Sequence, residues 1–143
     1  MKINLKLENI YTPDVIILGI VSNLKPHKFA WLLNKSFEID FFRGEDISVP
    51  FEEERLPFLN FVYESSFSLL RLVRNRSYDN HISNKPFFLP EFKEFDFFLL
   101  LENPLETHEA NEVMERVKQL INVEYVKEIK IEEVKSVENL IFN

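Results

Sequence analysis

The stretch LPEFKEFDFFLLLENP, Leu89 to Pro104, decides the fold. Its second half, Phe95 to Glu102, is almost wholly apolar. A run of that kind, bounded by turn residues, reads as a central strand covered on both faces. Pro90 stops whatever precedes it and presets an extended entry. Asp96 alone breaks the pattern, a carboxylate between Phe95 and Phe97 at the mouth of the most hydrophobic run in the chain.

A buried strand needs partners, and the chain supplies them on both sides. VIILGIV, Val15 to Val21, is β-branched and apolar on both faces, which predicts a second central strand. SNLKPHKFAWLLNKSF then starts a helix, with Ser22 or Asn23 as cap and Pro26 tolerated in the first turn. Phe29, Ala30, Leu33 and Phe37 recur at helical spacing and should face the sheet, with Trp31 on another side. Phe58 to Glu64 and Phe67 to Arg74 read as a hairpin around a tight turn at Ser65 and Ser66. ENPLETHEANEVMERVKQLIN is the clearest helix: Thr107 as cap, Glu109 and Glu112 near its positive end, Arg116 and Lys118 further along. Its stripe is Ala110, Val113, Met114, Val117, Leu120 and Ile121. Alternation predicts half-exposed strands at Lys2 to Ile10 (Ile3, Leu5 and Leu7 inward) and near Ile129 and Ile131. Pro13 marks a turn after the first of these. One short strand, Asp46 to Phe51, belongs at an edge or in a connection, because Pro50 and Pro57 lack the ladder donor.

The order is roughly β-β-α-β-β-β-α-β. It predicts one α+β domain over residues 1–143, a mostly antiparallel sheet with two helices packed on one face. The spacing permits a split βαβ arrangement of ferredoxin-like type.

Composition removes several chemistries. With 143 residues, 45% apolar and 29% charged, the chain is globular and can bury one core. Fifteen Phe make that core aromatic, with leftovers available for an exposed patch. No Cys means no disulfide, thiolate catalysis or iron–sulfur cluster. Only two Gly, Gly19 and Gly44, leave no phosphate-cradling glycine loop. No cofactor is implied. The net charge of −7 disfavours nucleic acid and anionic membranes. The longest apolar runs fall short of the ~20 residues of a membrane helix, and the start lacks a secretory h-region. A cytoplasmic protein is the expectation.

LPEFKEFDF, Leu89 to Phe97, resembles the signature of a small bacterial family named for its motif, the IPExxxVDY proteins. Pro90, Glu91 and Asp96 match as they stand, while Leu89 replaces Ile, Phe95 replaces Val and Phe97 replaces Tyr. FAWLLN, FVYESSFSLLRLV and the ending VKSVENLIF also look like pieces of that family. The resemblance implies a family of unknown function, with no catalytic, cofactor-binding or metal-binding residue to transfer. Phe97 has no hydroxyl, so no mechanism rests on that phenol. The plain physical reading is that Glu91 and Glu94 are solvated, while Asp96 accepts backbone N–H groups from the preceding loop.

Other candidates are weaker than their structural readings. His27, His81 and His108 lie on separate elements; His108 with Glu112 is the one pair at ligand spacing. Glu52, Glu53 and Glu54 beside Arg55 suit a solvated edge guard. Arg71, Arg74 and Arg76, with Arg43, form the basic concentration near aromatics, as on an RNA-binding sheet, but the glycines of that pattern are missing. No G-x-S-x-G surrounds Ser65 or Ser66. In the doublets Phe41–Phe42 and Phe87–Phe88, one ring of each can be core and the other an interface anchor. The expected function is therefore a non-enzymatic accessory or protein-interaction domain, binding a protein partner or a second copy. The alternatives are a small-ligand-binding or enzymatic domain with a pocket between the first helix and Glu91/Asp96, and an RNA-binding sheet surface.

Overall fold

The computed structural model describes residues 15–65, 69–78, 86–102 and 107–140, apart from the side chains of 107–109. The strand expected at Lys2 to Ile10 and the turn at Pro13 lie outside the described residues. In chain order the elements are β1 (Val15–Ser22), α1 (Pro26–Phe37), β2 (Phe42–Arg43), β3 (Ile47–Phe51), β4 (Glu54–Phe58) and β5 (Asn60–Glu64). Then come β6 (Leu69–Arg74), β7 (Phe97–Glu102), α2 (Thr107–Lys118) and β8 (Val123–Ile129). Short 3-10 turns occupy Pro90–Phe92, Ile131–Glu133 and Val137–Leu140.

The fold is α+β. Six strands form one sheet in the order β2-β5-β6-β7-β1-β8, and every neighbouring pair is antiparallel. The two apolar runs are its centre: β1 and β7 lie side by side with Leu18 opposite Leu99. Since β7 is antiparallel to both β1 and β6, those two run parallel with β7 between them. By the same logic β7 and β8 run parallel with β1 between them. These are the two interleaved split βαβ units that the spacing permits. β5 and β2 widen the sheet beyond β6.

Strand alternation sends Leu18, Ile20, Leu72, Phe97, Leu99 and Leu101 to one face. There they pack with Phe29, Ala30 and Leu33 of α1 and Val113 and Val117 of α2. Both helices therefore cover the same face. Phe29 meets Phe97 edge-on at 4.9 Å and 87°, an arrangement worth ~0.5–1.5 kcal/mol beyond the area it buries. Ile17, Val73, Phe98 and Leu100 point to the opposite face. That face is covered by the β3–β4 ribbon, through Val49, Leu56 and Phe58, and by the Phe88–Phe95 segment and the C-terminal turns.

Four local readings change. Phe58 ends β4 instead of opening the hairpin strand, which begins at Asn60. The short strand near Asp46 is half of a separate two-stranded ribbon. Its two-residue turn puts Glu52 at φ 56°, where glycine is usual, so its sequence lacks the customary turn signal. Neither Ser22 nor Asn23 caps α1, whose N-cap is Lys25 with no side-chain cap bond. Ile121 is 71% exposed, because α2 stops at Lys118 and the chain turns through i→i+3 bonds from Gln119 and Leu120. Among the described residues no helix is long and apolar enough to cross a membrane.

Candidate functional site

The Leu89–Phe97 segment bends across one end of the sheet, and Asn75, just past β6, holds it there. The Asn75 carboxamide is buried. It donates to the carbonyls of Phe92 (3.0 Å) and Phe95 (2.9 Å) and accepts the Leu89 amide (3.0 Å). Its backbone takes the Phe88 amide and gives its own N–H to the Asp96 carbonyl. Leu89, Phe95 and Phe97 are buried, and Pro90 opens a 3-10 turn.

Glu91 is only partly solvated, where full solvation is expected. Its carboxylate accepts the Lys135 amide at 2.6 Å, the Ser136 amide at 2.8 Å and the Ser136 hydroxyl at 2.8 Å. Partial burial pushes Glu91 upward, but these bonds outweigh it and leave its pKa below the ordinary carboxylate value. The segment thus grips the C-terminal VKS turn. Asp96 also differs in detail. It accepts a backbone N–H, but from Ser22 at the end of β1 and not from the preceding loop.

Phe95 accounts for Gly19. A Cβ on Gly19 would sit 2.8 Å from the Phe95 ring. With hydrogen there instead, the ring lies over the β1 backbone and stacks on Tyr125 at 6.3 Å and 10°.

Most other candidates disperse. Among the described residues no three His, Cys, Asp or Glu side chains converge on a metal position. His27 is exposed at the start of α1, Glu112 is exposed on α2, and His81 and the His108 side chain lie outside the described residues. Glu52, Glu53 and Glu54 are exposed at the ribbon turn, and Arg55 reaches across it to Ser48. Ser65 follows β5, and Ser66 is outside the described residues. Phe41 and Phe88 are core, Phe42 is 58% exposed and Phe87 is half-buried. The arginines separate by strand alternation. Arg71 pairs with Glu102 at 2.7 Å, while Arg74 leaves the opposite face. Both faces of β1 and β7 are covered, so these central strands offer bases no open aromatic platform. The pocket foreseen between the first helix and Glu91/Asp96 is also divided: Asp96 rims a cleft there, while Glu91 faces the C-terminal turn.

What the fold does assemble is a groove at the sheet end where β1 and β6 finish and β5 and β7 begin. It encloses about 900 Å³. Leu24, Leu59 and Phe61 give it an apolar floor, and Lys25, His27, Arg43 and Arg74 stand around it. Asp46 accepts both the Arg43 guanidinium, at 3.2 Å, and the Tyr78 hydroxyl, holding two rim side chains in place. Among the described residues no carboxylate lies within ion-pair distance of Lys25, His27 or Arg74. The first turn of α1, which opens into the groove, holds no acidic side chain, so its positive dipole end is uncompensated. A smaller cleft of about 350 Å³ adjoins it, sharing Asn23, Leu24 and Arg74 and adding Arg76, Lys93 and Asp96. Arg76 lies over the Phe87 ring at 5.9 Å.

Sequence reasoning noticed Arg43, Arg74 and Arg76 but grouped them with Arg71. Lys25, His27 and Lys93 join them only once β1, β6 and β7 are in register. No local signal marks Asn75 either, since its side-chain partners lie 14 to 20 residues further along the chain. No protein-family model matches this chain, and no curated protein is detectably similar to it.

Proposed function

We propose that this protein is a non-catalytic binding domain of the cytoplasm, of the IPExxxVDY kind, whose working surface is the groove at the end of the sheet. One observation carries the reading. In a chain with 24 Asp and Glu against 17 Lys and Arg, the groove is lined by the cations Lys25, Arg43 and Arg74 together with His27, and among the described residues the one carboxylate that reaches its rim is Asp46, paired with Arg43. Charge of one sign gathered over an apolar floor, against the sign of the whole molecule, favours an anionic partner and steers it inward. The signature carboxylates Glu91 and Asp96 are engaged by backbone amides, which suits a scaffolding role for the motif.

The test is affinity capture from the native cell extract with three baits: wild type, Arg74→Glu, and Trp31→Ala on the outer side of α1. The captured set should depend on Arg74 and not on Trp31. An identical set from wild type and Arg74→Glu, with both folded by circular dichroism, removes the groove as the working surface.

A further inference from the structure

The two clefts share Asn23, Leu24 and Arg74 in their walls, and the chemistry of the larger one separates two kinds of anionic partner. Taking the groove as the working surface, we infer that its occupant is an acidic protein segment carrying an apolar anchor: a short peptide with a Leu- or Phe-like side chain flanked by Asp or Glu.

The floor argues for the anchor. Leu24 and Leu59 are aliphatic, and Phe61 is half-buried against the helical core. Phe87 has one face under Arg76. Nucleic-acid grooves repeat exposed rings along a basic track, so that each base finds a π-face. Here Tyr78 is the ring that stands out, at 54% exposure, and its hydroxyl is tied to Asp46.

The charge argues for a short, locally acidic partner. Lys25, Arg43 and Arg74 surround one concavity instead of tracking across the surface. A polyanion running beyond it meets the acidic remainder of a −7 chain, where like charge opposes it. A peptide places two or three carboxylates at the rim, drops one apolar side chain onto the floor, and ends. Among the described residues Asp96 is the one carboxylate in the smaller cleft, and its Oδ2 already accepts the Ser22 amide. Arg76 and Lys93 beside it can take a second acidic residue of the same segment.

Fluorescence anisotropy with the labelled octapeptide DEELFDEE tests this on the full chain, beside DEEAADEE, the basic KKKLFKKK and decauridylate. DEELFDEE should bind saturably and lose affinity with added salt. Arg74→Glu and Lys25→Glu should each weaken it by about tenfold, and removal of the Leu-Phe anchor by about tenfold as well. KKKLFKKK should not bind. Both substituted residues are exposed, and circular dichroism verifies that the variants fold.

Equal affinity of DEELFDEE for wild type and both variants overturns the inference. So does tighter, Arg74-dependent binding of decauridylate at about 150 mM salt, which would make the occupant a nucleic acid. Sedimentation showing self-association abolished by Arg74→Glu would put a second copy in the groove, again overturning it. If no probe binds while extract capture still depends on Arg74, the partner chemistry is wrong and the groove stands. If capture is insensitive to Arg74, the groove itself falls.

Discussion

The Ser22 amide donates a 2.9 Å hydrogen bond to the Asp96 carboxylate, 74 residues further along the chain. The β1–β7 ladder reaches Ile20 opposite Phe97, and Asp96 then gives its own N–H to the Ile20 carbonyl. One step later the Asp96 side chain supplies the acceptor as β1 leaves the sheet toward α1. The Ser22 hydroxyl meanwhile donates to the Asn122 carbonyl at 2.7 Å and accepts the Leu24 amide at 3.1 Å. Three chain segments are pinned at this corner. Asp96→Ala should cost about 1 kcal/mol, reduced from a buried charged bond by its exposure, and lower Tm by ~3–5 °C. Asp96→Asn keeps an acceptor and should lose less. An unchanged melting temperature for the alanine variant would remove this role.

Glu91 gives stability a pH dependence of known sign. Its folded pKa is depressed, so its contribution is fully present above the unfolded value of about 4.3 and is lost as pH falls through the lower folded value. Glu91→Gln should therefore be less stable than wild type at pH 6–7, and the gap should close steadily below about pH 4. Because the carboxylate is only partly buried, the gap at neutral pH should be of order 1 kcal/mol. Urea titrations of both proteins across that range check it; a gap independent of pH would mean that the anionic form has no special hold on Lys135 and Ser136.

The architecture was legible wherever apolar period is long and uninterrupted. Val15–Val21 and Phe95–Glu102 are apolar on both sides, and Phe29/Leu33 and Val113/Val117 recur at helical spacing, so the central strands and both buried stripes could be read directly. The ribbon was half hidden because two prolines sit in it and Glu52, not glycine, makes its turn. The polar hubs were hidden for a different reason. Asn75, Glu91 and Asp96 act on partners 14 to 74 residues away, and no local pattern encodes a bond across that distance. The groove is hidden in the same way, since Lys25, Arg43 and Arg74 are ordinary surface cations until the sheet assembles them.

Asn75 should be the costliest polar residue to lose. Asn75→Ala leaves the Leu89 amide and the Phe92 and Phe95 carbonyls without their side-chain partner, at a place where Asn75 is 1% exposed. Orphaned buried groups cost ~1–3 kcal/mol each when water cannot reach them, so a loss of ~2–4 kcal/mol is expected after relaxation of the loop. The measurement is the urea midpoint with its slope. A lower midpoint at constant slope agrees with a purely native-state effect, whereas a loss below about 0.5 kcal/mol would mean that solvent replaces all three bonds.

Gly19 and Phe95 form a pair whose coupling can be measured. A β-carbon on Gly19 would lie 2.8 Å from the Phe95 ring, and that ring is boxed in by Phe92, Phe98 and Tyr125 at 6.0–6.4 Å between centroids. It has little room to withdraw, so Gly19→Ala should cost ~1–3 kcal/mol of overpacking. That outcome opposes the usual gain when alanine replaces a strand glycine and lowers the entropy of the unfolded chain. Phe95→Leu alone should cost ~1–2 kcal/mol through lost ring contacts. In the double variant the smaller Leu side chain makes space for the new methyl, so the combined loss should fall short of the sum by about 1 kcal/mol or more. Additive losses would show that the ring does not press on β1, and that Gly19 is held at this position by something other than close approach.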